Sequence, residues 1–320
     1  FHHEQCCSMA AEGYSKSSGK ISAICVTAGP GGINALNGVF GAYGDSVPML
    51  ILSGQVRTET LNTDKNLRQL GDQEAPITEM VSKITKYSKT LSKYDDVGAE
   101  LTKAINIMNS GRKGPVWVDI PIDVQGSLYN KKTLLKKEET AQFPNIDKNI
   151  DKLIEKINYS KRPLVIAGGG IWSSDSVVQF RNFISNTNLP VVSAFNGHDL
   201  LWEEHKNYVG KSGTIGDRRG NIAVEASDLI LVIGSSLNIR QIGYNFNKFG
   251  QDKFFCYVDI DNSELNKKTL TKNIDLTIQV DLKVFFEKFK YKNIKYSNHK
   301  EFKKWLKMVK KNYGIEKEVY

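Results

Sequence analysis

Apolar residues in the first part of the chain come in short runs separated by helical patterns. Ile21-Ser22-Ala23-Ile24-Cys25-Val26-Thr27 and Val47-Pro48-Met49-Leu50-Ile51-Leu52-Ser53 read as strands. Between them, Asn34 to Tyr43 reads as a helix, and another, ending Ala10-Ala11-Glu12-Gly13-Tyr14, precedes the first run. Two apolar runs joined by a helix of this length predict a βαβ unit, with parallel strands and ligands bound beyond the strands' carboxyl ends. The turn Gly29-Pro30-Gly31-Gly32 therefore falls on the ligand edge. After Gln55 the apolar pattern stops, and the polar stretch from Arg57 to Glu74 predicts a loop, long enough to be functional or mobile. A helix over Pro76 to Lys83, a strand over Lys86 to Leu91, a helix over Asp95 to Asn109 and a strand over Val116 to Ile120 complete a first domain, residues 1–127.

Residues 128–149 are rich in Lys, Glu and other polar side chains without a sustained apolar period, and read as a linker. A second domain, residues 150–285, opens with a helix from Ile150 to Asn158. Strands are expected at Pro163 to Ala167, Pro190 to Ser193, Leu229 to Ile233 and Phe254 to Asp259, with helices over Ser174 to Ser185 and Asp217 to Ala226. Strand and helix alternate throughout, so the expected class is α/β with two doubly wound parallel-sheet domains. The triplet Gly168-Gly169-Gly170 after a strand permits close approach of a phosphate to backbone amides at a helix start; the alternative is a tight turn without a ligand. Residues 286–320 form a basic tail, with Phe302, Trp305, Met308 and Val309 at helical spacing.

Composition changes this picture little. The 320 residues are 40% hydrophobic and 25% charged, and can bury two cores. No apolar run approaches the roughly 20 residues of a bilayer-spanning helix, so no membrane partner is expected. The net charge of +9 is concentrated at the end: from Asp281 onward stand 12 Lys against 5 acidic residues. That tail reads as a solvated helical extension, and nucleic acid is not an expected partner. Cys6, Cys7, Cys25 and Cys256 show no Cys-x-x-Cys spacing, which favours reduced thiols and a cytoplasmic protein. His2, His3 and Glu4 are consecutive and cannot converge on one point from a helix or strand, so no metal site is expected there.

The wording of the first domain carries a resemblance. His3-Glu4-Gln5, Ala10-Ala11-Glu12-Gly13-Tyr14, Gly29-Pro30-Gly31 with Asn34, Asp45-Ser46-Val47-Pro48, Ser53-Gly54-Gln55-Val56, Gln73-Glu74, Ile84-Thr85-Lys86 and Gly114-Pro115-Val116-Trp117-Val118-Asp119-Ile120-Pro121 follow one another as in the pyrimidine-binding domain of thiamine-diphosphate enzymes. Taken together they resemble acetolactate synthase and its relatives. Gly210-Lys211-Ser212-Gly213-Thr214, Gly234-Ser235-Ser236 and Val258-Asp259-Ile260-Asp261 resemble that family's central, Rossmann-like domain.

The resemblance implies a catalytic role for Glu4, hydrogen-bonded to the pyrimidine ring of thiamine diphosphate, with Pro30, Gly31 and Asn34 lining the ring. For that role the carboxyl has to share a proton near neutrality, which burial promotes by disfavouring the charged form. The bland alternative is an acidic residue complementing a helix start. Gln73 and Lys86 fall in a loop and segment that the resemblance assigns to the substrate or partner-subunit side. Gly168, Gly169, Gly170 and Arg240 fall where synthases hold a flavin dinucleotide (FAD) that does no redox work. The acidic pair that synthases carry before the arginine is replaced by Leu237-Asn238-Ile239, which leaves flavin open. The family holds Mg²⁺ and the diphosphate through a Gly-Asp-Gly motif in a third domain; Gly216-Asp217-Arg218 lacks the second glycine.

The chain is thus expected to be a fragment, N-terminally truncated in its first domain, with residues 286–320 as a connector towards the third. The implied parent decarboxylates a 2-oxo acid such as pyruvate and passes the carbanion to an acceptor, as in branched-chain amino acid biosynthesis. It would be a homodimer or tetramer with active sites between subunits. Another lyase or transferase of the family without flavin, or a catalytically silent assembly module, remains the alternative.

Overall fold

In the computed structural model the chain divides into two compact units, Phe1–Ala141 and Gln142–Tyr320. The structure describes residues 1–64, 66–128, 143–270, 273–289, 294 and 299–313. Most of the expected linker, 129–142, and the last residues of the basic tail, 314–320, lie outside the described residues.

The first unit runs α1 (Glu4–Ser18), β1 (Ser22–Val26), α2 (Pro30–Gly44), β2 (Met49–Gln55), α3 (Ile77–Val81), β3 (Tyr87–Thr90), α4 (Val97–Asn109), β4 (Val116–Pro121) and α5 (Ile122–Gln125). The four strands are parallel in the order β1-β2-β4-β3. The period-2 alternation of strands decides which side chain faces which layer. Met49, Ile51 and Trp117 join Ile24, Val26 and residues of α1, α2 and α3 in one core. Leu50, Leu52, Val116 and Val118 join Ala104 and Met108 of α4 in the other. Helix α1 stops at Gly19, whose left-handed conformation lets its amide return to the Ser15 carbonyl. Helix α4 starts where Asp96 accepts the Ala99 amide.

One buried charge lies among the strand ends of this sheet. Asp119, on β4, is fully buried. It accepts from Ser53 Oγ at 2.5 Å, Gln55 Nε2 at 2.9 Å and Thr90 Oγ1 at 3.1 Å. Trp117 Nε1 in turn donates to Ser53 Oγ at 2.7 Å, and Gln55 Nε2 also reaches the Ala75 carbonyl at 3.1 Å. Burial pushes the Asp119 carboxyl above its ordinary range, against the pull of the three donors. The network joins the carboxyl ends of β2, β3 and β4 through one residue.

The second unit runs α6 (Asp147–Tyr159), β5 (Pro163–Ala167), α7 (Gly170–Ser173), α8 (Val177–Thr187), β6 (Val191–Ser193), β7 (Tyr208–Lys211), α9 (Arg218–Ala226), β8 (Leu229–Ile233), α10 (Ile239–Ile242), β9 (Phe254–Asp259), α11 (Asn262–Leu265), β10 (Leu276–Gln279), α12 (Leu282–Phe289) and α13 (Lys300–Asn312). Its six strands are parallel in the order β10-β9-β8-β5-β6-β7. The chain winds outward from β5 to β7, returns to β8 and winds the other way, a doubly wound sheet with its switch point between β5 and β8. Ile150, Leu153, Ile154 and Ile157 put the buried stripe of α6 on one face, with the rings of Phe180, Phe183, Phe285, Phe286 and Phe289. Leu164, Ile166, Val232 and Tyr257 fill the other.

Several elements differ from the sequence reading. Helix α6 begins at Asp147, inside the stretch assigned to the linker. Helix α12 runs through residue 286, where the connector was expected to begin, and buries Phe286 and Phe289. In α13, Phe302 and Leu306 join the second core; Val309 is also buried, while Met308 is exposed, so its place in the predicted apolar stripe is taken by Leu306. Strands β7 and β10, four residues each at the two sheet edges, were not expected from the sequence. All four cysteines are free thiols. Among the described residues no helix is long and apolar enough to cross a membrane.

Asp119→Ala would take the shared acceptor from two hydroxyls, Ser53 and Thr90, and one amide, Gln55. It is expected to lower the stability of the first unit by about 2–4 kcal/mol, read by urea unfolding.

Candidate active site at the glycine turn

Three residues separate the end of β1 from the start of α2, and the last of them, Gly29, makes the bend at φ 61°, ψ −117°. This conformation is close to glycine-only. Pro30 then opens α2, where its fixed φ suits a first helical residue and its missing N–H costs nothing. Gly29 is also a contact: a Cβ there would lie 2.1 Å from the carbonyl oxygen of Gln73. The loop after β2 therefore rests on the turn by its backbone.

Glu4 is the first residue of α1, after His3, whose Nδ1 accepts the Gln5 amide at 3.2 Å. Its Oε2 accepts from Asn34 Nδ2, one turn into α2, at 3.2 Å. Its Oε1 lies 3.4 Å from where a Cβ on Gly31 would stand, and Thr27 Cγ2 lies 2.7 Å from the same point. Glu4, Gly31 and Asn34, from two helices 26 residues apart in sequence at their starts, thus form one group next to Pro30. Thr27, which the sequence reading did not single out, packs under it.

The expected burial of Glu4 is absent in this chain. The carboxyl is only partly covered, and its own backbone amide, then Asn34 and His3, hold it below its ordinary range. The helix-start reading of this residue and the ring-binding reading therefore use the same geometry. The free amides of a first helical turn favour the anion while water still reaches it.

Gln73 reaches the turn through its carbonyl, with an exposed side chain and a left-handed backbone, φ 56°. Lys86 is not part of the group. It precedes β3, at the amino end of a parallel sheet whose carboxyl end holds the turn, and its amine donates to the carbonyls of Ile107 and Ser110 at the end of α4. There it acts as a cationic helix cap.

In the second unit the glycine triplet meets the turn after β8. The Gly168 amide donates to the Ile233 carbonyl at 3.0 Å and the Gly170 amide to the Gly234 carbonyl at 2.7 Å. A Cβ on Gly168 would come within 2.3 Å of the Gly234 oxygen, and one on Gly170 within 2.8 Å. The two strand ends close on each other at the switch point, so two of the three amides expected to face a phosphate are already used. Gly169 faces Asn196 instead. Arg240 is exposed, and its carbonyl accepts the Thr214 amide at 2.7 Å. Among the described residues no group of three His, Cys, Asp or Glu is arranged to hold a metal ion.

Two family profiles match the chain: "Thiamine pyrophosphate enzyme, N-terminal TPP binding domain" over residues 1–76 and "Thiamine pyrophosphate enzyme, central domain" over residues 150–289. The acetolactate synthase large subunit of Lactococcus lactis subsp. lactis (strain IL1403) is 34% identical over 313 residues, 97% of this chain and 52% of that protein. That of Haemophilus influenzae (strain ATCC 51907 / DSM 11121 / KW20 / Rd) is 32% identical over 272 residues, 83% of this chain and 46% of that protein. The chloroplastic acetolactate synthase of Arabidopsis thaliana is 32% identical over 277 residues, 83% of this chain and 39% of that protein. The chain spans about half the length of the curated relatives it matches.

Gly29→Ala would force a side chain into a glycine conformation and against the Gln73 carbonyl. The expected result is a loss of about 1–3 kcal/mol in thermal or urea unfolding, with faster proteolytic cleavage in the 57–76 loop.

Proposed function

Because the chain belongs to the thiamine pyrophosphate enzyme family, with the N-terminal and central domains of that family, we propose that it is part of an acetolactate-synthase-like enzyme. In this reading the enzyme decarboxylates a 2-oxo acid, pyruvate being the substrate class that the relatives' name suggests, and joins the resulting two-carbon carbanion to an acceptor. The observation that carries the proposal is the convergence of Glu4, Gly31 and Asn34 beside Pro30 on the carboxyl edge of the first sheet.

Thiamine diphosphate, when bound, supplies a thiazolium carbon that its own aminopyrimidine deprotonates. The residues of this chain prepare that chemistry. Glu4 would share a proton with the pyrimidine ring nitrogen. Asn34 fixes one carboxyl oxygen, Oε2, and leaves Oε1 over the glycine turn. The absence of a side chain on Gly31 lets Thr27 and the Glu4 carboxyl close in on the first turn of α2, which holds Glu4 beside Pro30. Exclusion of water from Glu4 by a bound cofactor would favour the protonated carboxyl, the opposite of the direction it has in the open site.

Flavin finds little to hold it at the glycine triplet, where the Gly168 and Gly170 amides are committed to carbonyls, and no step depends on it. Assembly through the first unit is supported by exposed apolar side chains on α1 and α2. Met9 and Tyr14 stand out from α1, and Ile33 and Phe40, two turns apart on α2, share a face, with Phe40 64% exposed.

With the chain in its complete enzyme, Glu4→Gln is expected to slow exchange of the thiazolium proton by about a hundredfold or more, followed by NMR with cofactor bound. An unchanged exchange rate would overturn the assignment.

A further inference from the structure

Among the described residues the loop between β2 and α3 has short helical character only at Thr58–Thr60, and they fold largely around one side chain. The Glu74 carboxylate accepts the Asn62 amide at 2.5 Å through Oε1, and the Gly71 and Leu70 amides at 3.0 and 3.2 Å through Oε2. The Glu74 carbonyl accepts Gln69 Nε2 at 2.7 Å. Asn62 extends the ring: its Nδ2 donates to the Leu67 carbonyl at 2.6 Å, and its Oδ1 accepts the Asp64 amide at 2.9 Å. The chain is thus closed between residue 62 and residues 70–71 by a single anion.

Both neighbours of that anion are held as well. Gln73, one residue before, sits left-handed with its carbonyl on Gly29. Ala75, one residue after, has its carbonyl held by Gln55, the same amide that serves the buried Asp119. Gly71 lies against Val56 so closely that a Cβ would come within 2.8 Å.

We propose that Glu74 is a positioning residue: its carboxylate gathers the Asn62, Leu70 and Gly71 amides, closes the loop, and thereby fixes Gln73 against the glycine turn. That the loop borders a cofactor rests on the function proposed above; the closure itself does not. Three charge-assisted bonds from backbone amides replace the regular structure that the polar sequence of the loop cannot form. Burial alone would raise the Glu74 carboxyl, but the three amides outweigh it and hold it below its ordinary range. Among the described residues no ion pair reaches it from the charged neighbours along the loop, Arg57, Glu59, Asp64, Arg68 and Asp72, nor from Asp123 of α5, which accepts the Thr58 amide. For a carboxyl with a depressed folded pKa, the stabilisation is present above the unfolded pKa and is lost as pH falls through the folded one.

The test is amide hydrogen exchange on the 320-residue chain, wild type against Glu74→Ala and Glu74→Gln, corrected for intrinsic rates. Glu74→Ala is expected to speed exchange at Asn62, Leu70 and Gly71 by about tenfold or more, with β2 and β4 unchanged. Glu74→Gln, which keeps one acceptor oxygen, should fall between. Acidification through the Glu74 titration should loosen the wild-type loop and leave the Ala variant as it was. Unaltered loop protection in Glu74→Ala would overturn the proposal, and so would protection lost equally in loop and strands. None of these readings involves thiamine, so failure here is separable from failure of the Glu4 assignment.

Discussion

The site depends on one backbone constraint. The chain has to leave β1 and enter α2 within three residues, at the carboxyl edge of a parallel sheet. Only a glycine at position 29 allows the bend, and only a residue without a side chain there admits the Gln73 carbonyl. Once that bend is made, Pro30 starts α2, Gly31 packs without a side chain between Thr27 and Glu4, and Asn34 arrives one turn later to hold the carboxylate. A local requirement for φ above zero thus decides which residues of α1, α2 and the following loop meet.

Three carboxylates around this edge show how environment assigns roles to one functional group. Asp119 is sealed among strand ends, raised by burial, and satisfied by Ser53, Gln55 and Thr90; it serves the sheet. Glu74 sits among backbone amides that hold it ionised and serves the loop. Glu4 stands at a helix start, ionised while open to water, with Oε2 held by Asn34 and Oε1 beside Gly31. Of the three, Glu4 alone combines a side-chain partner that orients it with a carboxyl still reached by water.

The second unit uses the same strand-turn-helix device with another outcome. Its glycine triplet also follows a parallel strand, yet the missing side chains let β5 and β8 approach at the switch point, and the amides turn inward to Ile233 and Gly234. Glycine after a strand signals close approach of something. Whether that is a ligand or the next turn of the same chain depends on what stands opposite.

The sequence by itself determined the elements with strong local patterns. The runs at Pro163–Ala167, Leu229–Ile233 and Phe254–Asp259 are strands with those bounds, because long apolar runs need two covering layers to be buried. It also carried the grouping of Glu4 with Pro30, Gly31 and Asn34, through a resemblance spread over many short segments. Edge strands β7 and β10 were missed: β10 alternates buried and more exposed residues, Leu276-Thr277-Ile278-Gln279, but over only four positions, and β7 is mostly buried and includes Gly210. The tertiary structure alone decided that Lys86 caps a helix, that the Gly168 and Gly170 amides are spent on packing, and that Glu74 and Asp119 organise the loop and sheet ends. These are questions of which donor meets which acceptor across many residues of chain, and a side chain's type states what it can bond to, not what the fold brings within reach.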